Sequence, residues 1–114
     1  MTTYNMMPYQ KLIAFQVAKE LLALVREARI ADGKLRDQAL RAARSVCLNI
    51  AEASGRSTPA DQKRVFAIAR GELSEVAGAL EIAAMTGDCA GAAWSNGQQL
   101  ALRAHALLTA LIRK

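Results

Sequence analysis

Hydrophobic residues recur every three or four positions along most of the chain, which is the period of an amphipathic helix. The pattern predicts four helices, at about 9–31, 34–54, 59–86 and 89–113. Because the connections between them are short, consecutive helices should be antiparallel neighbours. We therefore predict an all-α fold, an up-down-up-down four-helix bundle. The expected core positions, in chain order, are Ala14, Val17, Ala18, Leu21, Leu24, Val25, Ala28, Leu35, Ala39, Ala42, Val46, Ile50, Ala53, Val65, Ala69, Leu73, Val76, Leu80, Ala83, Leu100, Ala101, Ala104, Leu107, Leu108 and Leu111.

The pattern is interrupted at 31–33, 54–59 and 86–88. Each of these segments contains a glycine that can end one helix and a residue that can cap the start of the next. Thr58 is the clearest start signal, because Pro59 then takes the first helical position and Asp61 adds a negative charge to the first turn. The chain is thus predicted to be one domain, 9–114, after a flexible N-terminus, 1–8.

Composition supports the helical prediction and limits the protein class. The chain has 114 residues, of which 53% are hydrophobic and only 4% aromatic, so alanine and leucine must fill the core. Charges interrupt every apolar run before the ~18–20 residues needed to cross a bilayer, and the first eight residues lack the basic start of a secretory signal. Cys47 and Cys89 match no metal-binding spacing and are too few for a disulfide scaffold. We expect a cytoplasmic protein with reduced thiols.

The net charge of +5 is unevenly distributed. Segments 34–44 and 56–70 are mainly basic, whereas segment 71–102 contains acids and no lysine or arginine. This pattern favours either contacts between unlike patches of two subunits or an anionic ligand on one side, although solvated helix faces would be the simplest explanation. The candidate nucleic-acid-binding residues are Lys34, Arg36, Arg41, Arg44, Arg56, Lys63 and Arg64.

Additional apolar residues lie outside the core pattern on the first two predicted helices. A small bundle needs one apolar face per helix, so a second apolar face indicates contacts between molecules. Scattered exposed leucines would be the alternative explanation. The candidate oligomer-interface residues are Leu12, Phe15, Leu22, Leu40 and Cys47.

Polar residues recur at steps of four, three and four beside the core face of the second helix: Ser45, Asn49, Glu52 and Arg56. Unpaired buried polar groups cost ~1–3 kcal/mol, so these side chains need partners. We favour a structural hydrogen-bonded network, with Glu75 as a neighbour of Arg56, over a line of residues that faces a ligand.

Residues suited to catalysis are sparse. His105 is the single histidine, and no glutamate precedes it at the Glu-x-x-His spacing of a carboxylate metal site. Glu72 and Glu75 lie three apart and fit salt bridges better than catalysis. We expect no enzymatic activity, no metal and no cofactor; a carboxylate metalloenzyme would instead require a stoichiometric metal.

Three segments carry a family resemblance. They are 11–18, the segment 35–53 with Asn49-Ile50-Ala51-Glu52 followed by Arg56, and Ile68-Ala69-Arg70-Gly71-Glu72-Leu73-Ser74-Glu75-Val76. The chain resembles the "four helix bundle protein" family, which includes proteins encoded in intervening sequences of bacterial 23S rRNA genes and accessory proteins of diversity-generating retroelements. Three positions depart from the usual pattern, since Cys47, Ala53 and Glu72 stand where proline, glycine and serine are common.

The resemblance implies a cytosolic bundle that assembles as a ring-shaped homopentamer, and its retroelement members bind nucleic acid and a reverse transcriptase. Our main hypothesis is a non-enzymatic homopentamer that binds RNA or DNA weakly and without sequence specificity through backbone charge. No aromatic residue interleaves the basic set, so duplex or folded RNA suits it better than stacked single strands. The alternative is a protein-interaction scaffold in which the basic patches meet Glu72, Glu75 or Glu81 of the next subunit. The expected partners are thus a second copy, RNA or DNA, or another protein, without a membrane.

Overall fold

The computed structural model describes residues 5–114. Over this range the chain forms four α-helices and no strand, which confirms the predicted all-α class. The helices are α1 (Ile13–Ala28), α2 (Gly33–Ser54), α3 (Pro59–Met85) and α4 (Gly91–Arg113), and a short 3-10 turn, Pro8–Lys11, precedes α1. The first half of the predicted flexible segment 1–8 lies outside the described residues.

Each helix packs against its neighbours in sequence, and α1 also packs against α4. The most extensive contacts join α2 to α3 and α3 to α4. This packing order is that of a bundle in which consecutive helices are adjacent. Leu21 of α1, Ile50 of α2, Leu80 of α3 and Leu108 of α4 are among the fully buried core side chains, so all four helices contribute to one core.

The starts of α2 at Gly33 and of α3 at Pro59 depend on side-chain caps from Asp32 and Thr58. The Leu35 N–H donates to the Asp32 carboxylate at 2.9 Å, and the Asp61 N–H donates to the Thr58 hydroxyl oxygen at 3.2 Å. These bonds satisfy N–H groups that have no partner within the first turn of a helix. The predicted start of α3 at Pro59 is therefore confirmed.

The predicted bounds of the first helix, 9–31, are wrong at both ends. Leu12 takes an extended conformation that separates the 3-10 turn from α1, and Arg29 ends the helix in a left-handed conformation with φ 47°. Ile30 continues the apolar pattern but belongs to the connection, where it is fully buried. Its side chain thus joins the core without extending the helix.

α4 begins at Gly91 rather than at the predicted residue 89, because the α3–α4 connection extends to Ala90. Gly87 has a positive φ of 78°, which is accessible to glycine without strain. The Asp88 N–H then donates to the Ala83 carbonyl at 2.7 Å, and the Asp88 carbonyl accepts from the Ala31 N–H at 2.9 Å. This last bond joins the α1–α2 and α3–α4 connections at one end of the bundle.

Candidate nucleic-acid interface

The seven basic residues predicted to bind nucleic acid do not form one surface. Arg41 and Arg44 are exposed on α2, whereas Arg56, Lys63 and Arg64 lie at the α2–α3 connection and the start of α3. The second group is thus separated from the first by several helical turns. Lys34 is exposed in the first turn of α2, at the end of that helix opposite Arg56.

Arg44 borders a groove between α1 and α2. The groove has a volume of about 510 Å³ and is lined by Lys19, Leu22, Ala23, Arg26, Leu40 and Arg44. A shallow depression of about 620 Å³ on the outer side of α2 shares Leu40 and Arg44 with it and adds Arg41. The two concavities therefore form one continuous surface. We call it the α1–α2 basic groove and define it by Lys19, Leu22, Arg26, Leu40, Arg41 and Arg44.

The cations of the α1–α2 basic groove are available to a ligand. Among residues 5–114, the ion pairs join only Arg56 and Arg64 to Glu52 and Asp61. Asp37 is the one acidic residue that lines the outer depression, and it forms no ion pair with Arg41 or Arg44 in the described chain. The groove therefore presents four cations that form no ion pair in the described chain, beside the single carboxylate of Asp37.

Two groove residues, Lys19 and Arg26, were missed by the sequence prediction. They are seven residues apart and so share one face of α1, four positions after Phe15 and Leu22. The Lys19 ammonium also lies 5.4 Å from the centroid of the Phe15 ring. Their spacing was visible in the sequence, but only the packing of α1 beside α2 shows that they join Arg44.

Arg56 and Arg64 form ion pairs with acidic residues of their own subunit. The Arg56 guanidinium pairs with Glu52 one turn earlier and lies 3.4 Å from the Asp61 carboxylate across the α2–α3 connection. Arg64 pairs with the same Asp61 at 2.8 Å. These contacts connect the α2–α3 connection to the first turn of α3, and they leave Arg56 and Arg64 with less unpaired charge than Arg41 and Arg44. The assignment of Arg56 and Arg64 to phosphate binding stays a prediction.

Arg36 also has a structural contact, since it donates a 3.2 Å hydrogen bond to the Ile30 carbonyl and so ties α2 to the α1–α2 connection. Lys63 is half-buried beside Phe66 and Leu111, in a separate pocket near the start of α3. Of the seven predicted residues, the structure therefore places only Arg41 and Arg44 in the α1–α2 basic groove.

The predicted polar network divides into two separate pairs. The Asn49 amide donates to the Ser45 carbonyl at 2.9 Å and to the Ser45 hydroxyl at 3.0 Å. Glu52 pairs with Arg56 instead, and both side chains are substantially exposed. No hydrogen bond or ion pair between Glu75 and Arg56 occurs in residues 5–114, so the prediction that Glu75 completes the network is wrong.

Glu75 instead faces Glu72 on the same helix. Burial raises the pKa of the Glu72 carboxyl above its ordinary value, and the charge of Glu75 and a hydrogen bond to it raise that pKa further. The two acids therefore repel each other when both are ionised.

The predicted interface residues contribute to the subunit core to different extents. Leu12, Phe15, Leu22 and Leu40 are half-buried and pack against the core, so part of each side chain remains at the surface. Their contacts with another subunit stay a prediction. Cys47 is only 7% exposed, and its assignment to an interface surface is wrong because its side chain faces inward.

Both thiols are free, and burial raises the pKa of each above its ordinary value. For Cys89, the nearby Asp88 charge raises the pKa further. The nucleophilic thiolate is thereby disfavoured at both positions.

Within residues 5–114, no three His, Cys, Asp or Glu side chains are grouped in a way that could hold a metal ion. None of the four helices described above has both the length and the apolar character required to cross a membrane.

The structure therefore defines a small all-α protein with a basic groove on one side. The sequence profile of the 23S rRNA-intervening sequence protein family matches residues 9–110, which includes all four helices almost completely. The chain belongs to this family. A comparison with curated proteins gives no match.

Proposed function

We propose that the protein is a non-enzymatic homo-oligomer, of five subunits by its family resemblance, that binds duplex or folded RNA, or duplex DNA, through the α1–α2 basic groove. The observation that carries this proposal is the grouping of Lys19, Arg26, Arg41 and Arg44 on one surface without ion-pair partners in the described chain. Binding of such cations to phosphates releases condensed counterions and is independent of base sequence.

The side chains of the groove favour a nucleic acid that is recognised through its sugar–phosphate backbone. Its apolar members are leucines rather than aromatic residues, so it lacks the platforms on which single-stranded bases stack. The nearby Phe15 is already engaged, since its ring packs edge-on against Tyr9 with centroids 4.8 Å apart. Long flexible lysine and arginine side chains can follow the phosphates of a helical duplex.

Assembly would strengthen this weak contact. One subunit offers four groove cations, whereas a closed ring of subunits presents the same set once per subunit to one long nucleic acid. Linked sites raise the overall affinity without new contacts, provided that their geometry allows simultaneous binding.

Fluorescence anisotropy with a labelled RNA hairpin and a labelled DNA duplex tests the proposal. We expect Arg41→Ala combined with Arg44→Ala to weaken binding by at least about ten-fold, because two phosphate contacts per subunit are lost. The matched control, Lys63→Ala combined with Arg64→Ala, removes the same net charge outside the groove and should retain most of the affinity. Equal losses in both variants, or no binding at low salt, would contradict the proposal.

The second candidate function is the protein-interaction scaffold. Leu48 favours it, because this side chain is 70% exposed and lies in the outer depression beside Arg41 and Arg44. In that case the groove would receive the acidic surface of another subunit. Reversal of charge with Arg41→Glu and Arg44→Glu would then dissociate the oligomer, whereas the nucleic-acid proposal expects the oligomer to persist.

A further inference from the structure

α3 is apolar on two sides. Its inner side forms part of the core, as expected for a bundle helix. A second series follows steps of three and four along the opposite side and comprises Ile68, Gly71, Glu75, Gly78, Ile82 and Met85. We call it the α3 outer line. A helix that is apolar on both sides is typical of one that is buried on both sides.

The exposure of the α3 outer line is unusual for a surface helix. Ile68 is 43% exposed, Ile82 50% and Met85 79%. Ile82 and Met85 lie next to each other on this side of α3, and Ile68 lies on the same side nearer the start of the helix. Exposed apolar side chains that share one face mark contacts with other proteins. Glu75 is the single charged member of the line.

The two glycines of the α3 outer line have no packing role within the subunit. A Cβ atom added at Gly71 or Gly78 would meet nothing within 4 Å. Glycine destabilises the interior of a helix, so internal packing does not explain either residue. Their small size instead allows the backbone of another helix to approach this side of α3.

The outer side of α4 complements the α3 outer line. Its exposed residues at steps of four and three are Gln99, Arg103, Ala106, Ala110 and Arg113, which we call the α4 outer line. The alanines are small enough to face the glycine gaps of α3. α4 contains no acidic residue, whereas α3 from residue 71 onward contains only acids among its charged residues.

We propose that the α3 outer line of one subunit docks against the α4 outer line of a second copy of this chain. This inference rests on the proposed homo-oligomer and specifies its contact. Arg103 and Arg113 at the contact face a helix that carries Glu75, with Glu72 and Glu81 to its two sides. When it is repeated head to tail, such a contact is heterologous, and it generates a ring if the rotation from one subunit to the next closes.

The α4 outer line fits the α3 outer line of a second copy better than the α1–α2 basic groove does. Close helix packing needs short side chains where the two helices touch. Ala106 and Ala110 supply them between the two arginines of the α4 outer line, whereas lysine, arginine and leucine side chains line most of the groove. Docking on α4 also leaves the groove open to phosphates. The two surfaces therefore serve separate contacts, one with a second copy and one with nucleic acid.

Sedimentation equilibrium of the full chain tests the contact by reversal of charge. We expect Glu75→Arg with Glu81→Arg, and separately Arg103→Glu, to weaken self-association by about ten-fold or more, because like charges then meet. The three substitutions combined in one chain should restore association toward that of the wild type. Glu27→Arg, which reverses an exposed acid on α1, is the matched control and should leave association unchanged.

A second variant keeps the test independent of charge. Gly71→Ala with Gly78→Ala should retain full helix content by circular dichroism, since the added methyl groups meet no atom of their own subunit. The same variant should weaken self-association by about ten-fold, because the methyl groups fill the gap that a second helix would enter.

Several outcomes would overturn the inference. Unchanged association in the glycine variant, or no rescue by the combined charge reversal, would exclude this contact while the homo-oligomer stands. Dissociation by Arg41→Glu with Arg44→Glu would instead assign the contact to the groove. A wild-type chain that is monomeric at all concentrations would overturn both the inference and the proposed homo-oligomer, whereas nucleic-acid binding is measured separately by anisotropy.

Discussion

Gly97 of α4 lies so close to Leu80 of α3 that a Cβ atom on Gly97 would come within 2.6 Å of the Leu80 Cδ1 atom. The same Cβ would lie 3.3 Å from the Leu24 Cδ2 atom of α1. Gly97 therefore allows three helices to meet. Leu80 is fully buried, so its side chain has little space into which it could move.

The first prediction concerns this contact. Gly97→Ala should lower the free energy of unfolding by about 1 kcal/mol, because an overpacking cost of ~2 kcal/mol outweighs the gain of ~1 kcal/mol from the better helix propensity of alanine. Urea unfolding followed by circular dichroism measures the change. Gly91→Ala is the control, since its Cβ meets nothing within 4 Å. Equal stability of Gly97→Ala and the wild type would show that the helices are not packed as closely as described.

The second prediction concerns the end of α1. Arg29 is the one non-glycine residue with positive φ among residues 5–114, and it is exposed. Left-handed conformations cost a non-glycine residue ~1 kcal/mol, which glycine avoids. Arg29→Gly should therefore raise the free energy of unfolding by about 0.5–1 kcal/mol in urea. Arg26→Gly, within the last turn of α1, should instead lower it, and stabilisation by both variants would contradict this explanation.

The third prediction concerns pH. Because the pKa of Glu72 is raised in the folded protein, its folded state binds a proton more tightly than the unfolded state, and stability falls as pH rises through that range. Glu72→Gln should therefore be more stable than the wild type at pH 7, by no more than about 0.5 kcal/mol given solvent screening.

The difference between Glu72→Gln and the wild type should disappear at about pH 3, where unfolded glutamates are also protonated. Thermal unfolding at both pH values measures it. Glu81→Gln, an exposed position on the same helix, is the control. An advantage of Glu72→Gln that persists at low pH would show that neither the burial of the Glu72 charge nor its repulsion from Glu75 is the cause.

Much of the fold could be predicted from the sequence because its signals are local. The three-and-four spacing identified four helices, and the predicted α3 core positions from Val65 to Ala83 are all buried. The ends of α1 could not be predicted in the same way. Arg29 adopts a conformation that usually favours glycine, and Ile30 continues the apolar pattern although it lies in a connection.

Less of the candidate site could be predicted, because it depends on which helices are adjacent. Charge runs along the chain indicated Arg56 and Arg64, which the structure pairs with acids, and missed Lys19 and Arg26. Lys19 and Arg26 lie on the polar side of α1. They become part of a basic surface only because α1 packs beside α2, which carries Arg44. The ion pair across the α2–α3 connection likewise depends on Asp61. Its place in the first turn of α3 was predicted, but its ion pairs were not.

The salt dependence of nucleic-acid binding tests the central claim most directly, with Lys19→Gln combined with Arg26→Gln as the variant. The wild type should bind an RNA hairpin tightly at low salt, with an affinity that falls linearly with salt on logarithmic axes. The variant should reduce that slope by about two for each subunit that contacts the RNA, whereas Lys63→Gln combined with Arg64→Gln should leave it unchanged. An identical slope for the wild type and both variants would contradict binding through the α1–α2 basic groove.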